Sequence, residues 1–176
     1  MRIIKFVMLN LPKLKGAYVM ESRYLKLEGG WAVKPDGYDS KNAAHRKRLD
    51  HQRAVLDLGL SPDALSDIVD EFYGRVRAHP VLAPIFEEKI GARWESHLET
   101  MKAFWLSVAL NAGTYAGKPV MVHKALGRVT PAHFDIWLGL FQQTVLDVTR
   151  SQEACDFLMK RAIKMSDTFK KAMFVA

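Results

Sequence analysis

The sequence predicts an all-α domain behind a basic N-terminal extension. After Ser61, apolar residues recur at helical spacing through four long segments, the period of helices that bury one face. Two of those segments open on a hydroxyl residue followed by proline, Ser61-Pro62 and Thr130-Pro131. That pairing caps the first amide groups and presets the first turn. Charge separates the two parts. Of a net charge of +7, residues 1–60 carry +6, from 12 Lys+Arg against 6 Asp+Glu. The extension is taken as residues 1–58, largely irregular, and the helical domain as 59–176.

Residues 1–42 mix apolar, basic and turn residues without a sustained period. Within them "YLKLEGGWAV" (Tyr24–Val33) reads as a hairpin turning at Gly29-Gly30. A weak helix is expected over 43–58, on Leu49, Val55, Leu56 and Leu58, before Gly59. The first strong helix starts at Ser61, with Asp63 in its first turn. Leu65, Ile68, Val69, Phe72, Tyr73 and Val76 share its face, and His79-Pro80 ends it. "PVLAPIF" reads as a short turn leading to Phe86, and Gly91 breaks the chain again. The next helix runs from about Arg93 to Leu110, its buried side marked by Trp94, His97 or Leu98, Met101, Phe104 or Trp105, and Val108.

A connection of 19 residues follows, Asn111–Val129, with three glycines and one proline. A structureless stretch of that length inside a compact domain is either functional or a sign of wrong assignment. Thr130-Pro131 then opens a helix whose face reads Phe134, Trp137 or Leu138, Phe141, Val145 and Val148. Ser151 caps a last helix carrying Ala154, Phe157 or Leu158, Ala162, Met165 and Phe169.

Several chemistries are excluded. The single cysteine, Cys155, rules out an internal disulfide framework and suits a reducing, cytoplasmic compartment. No apolar run is long enough to span a bilayer. The opening "MRIIKFVMLNLPKLKG" has a basic flank and an apolar middle. Asn10, Pro12 and Lys13 interrupt that middle, and no small-residue cleavage site follows, so export is not expected. The basic arm comes without a nucleic-acid motif, so no nucleic-acid partner is expected and a solvated extension is favoured. Phosphate-binding glycine loops, HExxH, GxSxG and paired Glu-x-x-His motifs are all missing from the sequence.

What remains is an aromatic-rich helical core with two histidines, His97 and His123. Taken alone, His97 reads as a core-edge histidine bonded to backbone, and His123 says equally little. The irregular connection around His123 points elsewhere. Long helices around such a gap need something to fill the interior, and an apolar planar cofactor held by one imidazole would account for gap and histidine together.

Four blocks, "FYGRVRAHPVLAPIF", "WESHLETMKAFW", "GTYAGKPVMVH" and "HFDIWLGLF", in this order and at these spacings, resemble a truncated haemoglobin of group III. The resemblance covers Ser61 to the C-terminus and leaves the basic extension outside it. It implies a sandwich of two helices over two enclosing haem b (iron protoporphyrin IX). His123 matches the proximal histidine, the one protein ligand to the iron. Phe86 matches the phenylalanine packed on the porphyrin, and Trp94, Met101 and Leu126 are expected as further cofactor contacts, with Val120 or Met121 beside them. Tyr73 matches the distal tyrosine, His97 the distal-helix position beside the open iron site, and Trp137 a tryptophan whose indole points toward bound ligand.

The implied activity is binding of a diatomic gas: oxygen, nitric oxide or carbon monoxide. Oxygen transport, nitric oxide detoxification by dioxygenation with an unidentified reductase, and peroxide chemistry are the uses that follow. Tyr O–H and Trp N–H donors in a pocket of low dielectric favour tight retention of a partly charged ligand. Read from the residues alone, the alternative is a cofactor-free helical interaction module docking through its basic arm.

Overall fold

The computed structural model describes residues 24–27, 30–33, 43–124 and 126–175. Contacts divide the chain into two compact units, 1–38 and 39–176. In the first, β1 (Tyr24–Leu27) pairs antiparallel with β2 (Gly30–Val33), with Tyr24 opposite Val33 and Leu27 opposite Gly30. This is the hairpin expected in this stretch, except that Gly30, read as a turn residue, is paired in the ladder; residues 28 and 29 lie outside the described residues.

The second unit is all helical: α1 (Ala43–Asp57), α2 (Pro62–Ala78), α3 (Ala83–Ile90), α4 (Trp94–Leu110), α5 (Pro119–Lys124), α6 (Pro131–Thr149) and α7 (Gln152–Phe174). A 3-10 turn, Gly91–Arg93, joins α3 to α4. α2 packs on α4, α6 packs on α7, and α2 also packs on α6, giving two helices over two. The sequence reading placed the 43–58 helix in the extension. Contacts place α1 with the helices that follow, because Gln52 and Val55 are fully buried there.

The caps form where the sequence puts them, with one change of chemistry. Ser61 Oγ accepts from the Ala64 amide (3.1 Å) and Ser151 Oγ from the Ala154 amide (3.2 Å). At α6 a histidine three residues on reaches back, and the Thr130 amide donates to His133 Nδ1 (3.1 Å). The turn expected at "PVLAPIF" is instead the start of α3. Pro84 sits in its first turn, where no amide donor is needed. Eight residues ended by Gly91 (φ 50°) are too few for the sequence to show a helical period.

Burial follows the predicted faces of α2, α6 and α7. On α4 Trp94 is buried as expected, and the rest of the burial shifts toward the C-terminus, onto Trp105, Leu106, Ala109 and Leu110. His97, Met101 and Phe104 stay half-buried because they front a cavity. The centre of the core is a ring cluster. Phe141 stacks between Trp105 (4.7 Å) and Trp137 (5.3 Å), and Phe72 meets Trp137, Phe141 and Tyr73 edge-on. Ion pairs also tie helices together, Arg75 to Asp147 across the layers and Lys102 to Asp70 within one, each at 2.7 Å. Such solvent-screened pairs contribute little. A buried aromatic contributes far more, so the ring cluster holds the layers together.

Candidate functional site

A cavity of about 480 Å³ lies inside the second unit, within the usual range for small-molecule and cofactor sites. Every helix of the unit except α1 contributes to its wall. Among the described lining residues the charged side chains are Lys89 and Arg93, both cationic, and no aspartate or glutamate lines it.

His123 stands on α5. Its Nδ1 lies 2.7 Å from the Pro119 carbonyl oxygen. A carbonyl only accepts, so Nδ1 carries the proton and Nε2 keeps its lone pair. The ring stacks on Phe169 of α7 at 3.9 Å and 15°. Burial lowers its pKa, and the Pro119 hydrogen bond opposes that only in part. The imidazole is therefore neutral at pH 7, the form that binds metals.

A polar group faces the same cavity from α2 and α4. The Tyr73 ring meets His97 edge-on at 5.2 Å. Tyr73 is buried, and desolvation alone pushes its pKa far above the usual range, so its hydroxyl remains a donor. His97 Nε2 is buried without a protein partner. Burial, then the nearby Arg93 charge, lowers the His97 pKa and keeps that ring neutral as well. A buried polar atom left unpaired costs about 1–3 kcal/mol, so the orphaned Nε2 marks a place for a polar occupant. Trp137 lines the cavity from α6.

The cavity thus brings together Tyr73, Phe86, His97, Met101, His123, Leu126 and Trp137. Trp94 does not line it. Its indole N–H donates to Glu87 (2.7 Å), Arg77 lies over its ring, and it backs Tyr73 and His97 at 6.2 and 5.9 Å. On α5 the lining residues are Pro119, Val122 and His123, and Val120 and Met121 are not among them. Helical geometry explains the change: 119, 122 and 123 share one side of the helix, and Leu126 follows in the turn after it.

Sequence reasoning missed several wall residues. Phe134 and Phe169 carried only a core signal. Tyr115 lies in the segment after α4, where no period operates. Ser107 Oγ accepts from the Thr114 and Tyr115 amides (both 2.9 Å), and Thr114 Oγ1 donates to the Ala103 carbonyl (2.8 Å). These bonds lay residues 111–118 back along α4 and set Tyr115 against Phe104 at 5.0 Å. A Cβ at Gly117 would meet the Tyr115 ring, so a side chain there would push that ring aside. The "YAG" spacing is the only trace of this in the sequence.

Comparison with known proteins agrees with this architecture. The family model described as bacterial-like globin matches residues 57–174. The group 3 truncated hemoglobin of Campylobacter jejuni is 27% identical over 118 residues, covering 65% of this chain and 92% of the relative. The crystal structure of the group III truncated hemoglobin from Campylobacter jejuni superposes with a TM-score of 0.62 at 27% identity, over the same shares of both chains. With a two-over-two helical sandwich closed around a histidine-bearing cavity, the chain belongs to the bacterial-like globin family.

Proposed function

We propose that the cavity holds haem b, with His123 as its one protein ligand, and that the loaded protein binds oxygen, nitric oxide or carbon monoxide. The observation that carries this reading is the His123 ring: neutral, fixed by Pro119 through Nδ1, and left with a free Nε2 in a large apolar cavity. Among the described residues no cluster of three or more His, Cys, Asp or Glu could hold a metal unaided. A metal there needs a ligand frame of its own, as a porphyrin has. The lining fits such a group, with Phe86, Met101 and Leu126 as apolar contacts and Lys89 and Arg93 as cations for carboxylates on its edge.

When bound, haem would supply an iron that takes up diatomic gases, and dioxygenation of nitric oxide there would call for a reductase as well. The protein side chains set what is retained. Tyr73 keeps its proton through burial and donates to a ligand beside it. His97 Nε2 gains the partner it lacks, and Trp137 offers an indole N–H. Three polar groups around one apolar cavity, Tyr73 among them buried, favour retention or activation of ligand over rapid delivery. The buried Cys155 accords with a cytoplasmic setting.

Haem titration tests the reading. A stoichiometric Soret band is expected, and its absence favours the cofactor-free interaction module. Within the loaded protein, Tyr73→Phe is expected to release oxygen roughly 10–100-fold faster in stopped-flow mixing. That is the loss of one hydrogen bond to a partly charged acceptor, about 1.5–3 kcal/mol. Release no faster than the parent removes the basis for tyrosine-controlled retention.

A further inference from the structure

We propose that α1 fixes the joint between the two histidine-bearing walls of the cavity, through His51 and Gln52. α4 carries His97, α5 carries His123, and the chain passes from one to the other through the turn at Leu110 and Asn111. The last carbonyls of α4 have no partner within their own helix. Two of them are taken by side chains 58 residues earlier in sequence. His51 Nε2–H donates to the Ala109 carbonyl (2.9 Å), and Gln52 Nε2–H donates to the Leu110 carbonyl (2.8 Å). Helices more often end on local backbone bonds or water. Here the cap is imported from another element.

Three further observations make the contact a positioning device. Gln52 is fully buried, yet its Oε1 has no partner. The amide keeps this orientation although it leaves an acceptor unpaired, so the bond to Leu110 sets it. Asn111 then turns left-handed (φ 52°), and residues 111–118 run back along α4 on the Ser107 and Thr114 bonds to place Tyr115 in the cavity wall. His51 also lies 6.2 Å from the Phe157 ring of α7, the helix whose Phe169 supports His123. α1 therefore grips the turn and also lies beside α7, at Phe157, outside the cavity wall. The family match begins at residue 57, so the match does not account for it.

The test is the double variant His51→Phe, Gln52→Met in the full chain. It keeps a ring against Phe157 and nearly the same volume while removing both donors. Hydrogen exchange of the haem-free protein is expected to quicken at Thr114 and Tyr115 by about tenfold or more, with the mid-α6 amides of Phe141 and Val145 unchanged. Arg53→Ala, on the exposed side of α1, is expected to match the parent. Parental exchange at 114 and 115, or equal acceleration in α6, overturns the proposal. The effect on cofactor rests on the haem reading: the loaded variant is expected to lose haem to an apoglobin acceptor about tenfold faster. Quickened exchange with parental haem release overturns the link from joint to cavity. Absence of a Soret band in the parent bears on the haem reading alone, since exchange is read without haem.

Discussion

His123→Ala is expected to lose its Soret band on gel filtration, under conditions in which the parent keeps it. The reason lies in how few donors the site offers. His123 contributes one free nitrogen, held in place by Pro119 through Nδ1 and by the face of Phe169. Loss of outer partners that orient a ligand costs about 10–100-fold in metal affinity, so loss of the ligand itself should exceed that. Helix content should be unchanged by circular dichroism, because His123 is only half-buried and α5 is six residues long. Added imidazole should restore the band if the cavity survives. A variant that holds haem as firmly as the parent defeats the assignment of His123, and His97 would be the next ligand to test.

Phe72→Ala is expected to destabilise the fold by about 3–5 kcal/mol. Phe72 is fully buried at the crossing of α2 and α6, and its ring meets Tyr73, Trp137 and Phe141 edge-on at 5.0, 5.0 and 5.3 Å. Flat stacks of Trp105, Phe141 and Trp137 surround it, and rigid rings collapse poorly into a void, so the upper half of that range is expected. Thermal unfolding should fall by roughly 10 °C or more at this chain length. A loss under about 1 kcal/mol would mean that the rings relax into the gap and that this cluster is not the centre of the core.

The faces of α2, α6 and α7 were legible in the sequence because one buried stripe serves one core, and the period is then clean. α4 was less so, since its N-terminal half fronts a cavity while its C-terminal half is packed. α3 and α5 are too short to show a period at all. His97 and His123 stood out in the sequence itself, and the four-block resemblance added Tyr73 and Trp137; all four line the cavity, whereas the Pro119 carbonyl bonded to His123 has no residue signature because it is a main-chain acceptor. Trp94 was placed one layer too deep: its helical position points at the site, but its N–H is taken by Glu87. Tyr115 was invisible because its position depends on Ser107, a polar residue with no pattern around it.

The crowding of indoles around the cavity has a consequence for how the molecule can be watched. Trp105 and Trp137 line the wall, and Trp94 abuts Tyr73 and His97. A strongly coloured group in that space would sit within energy-transfer range of all of them, so their emission should dim as it enters and brighten as it leaves. The ring cluster that holds the helices together thus doubles as a built-in optical gauge of occupancy, readable without label or added probe.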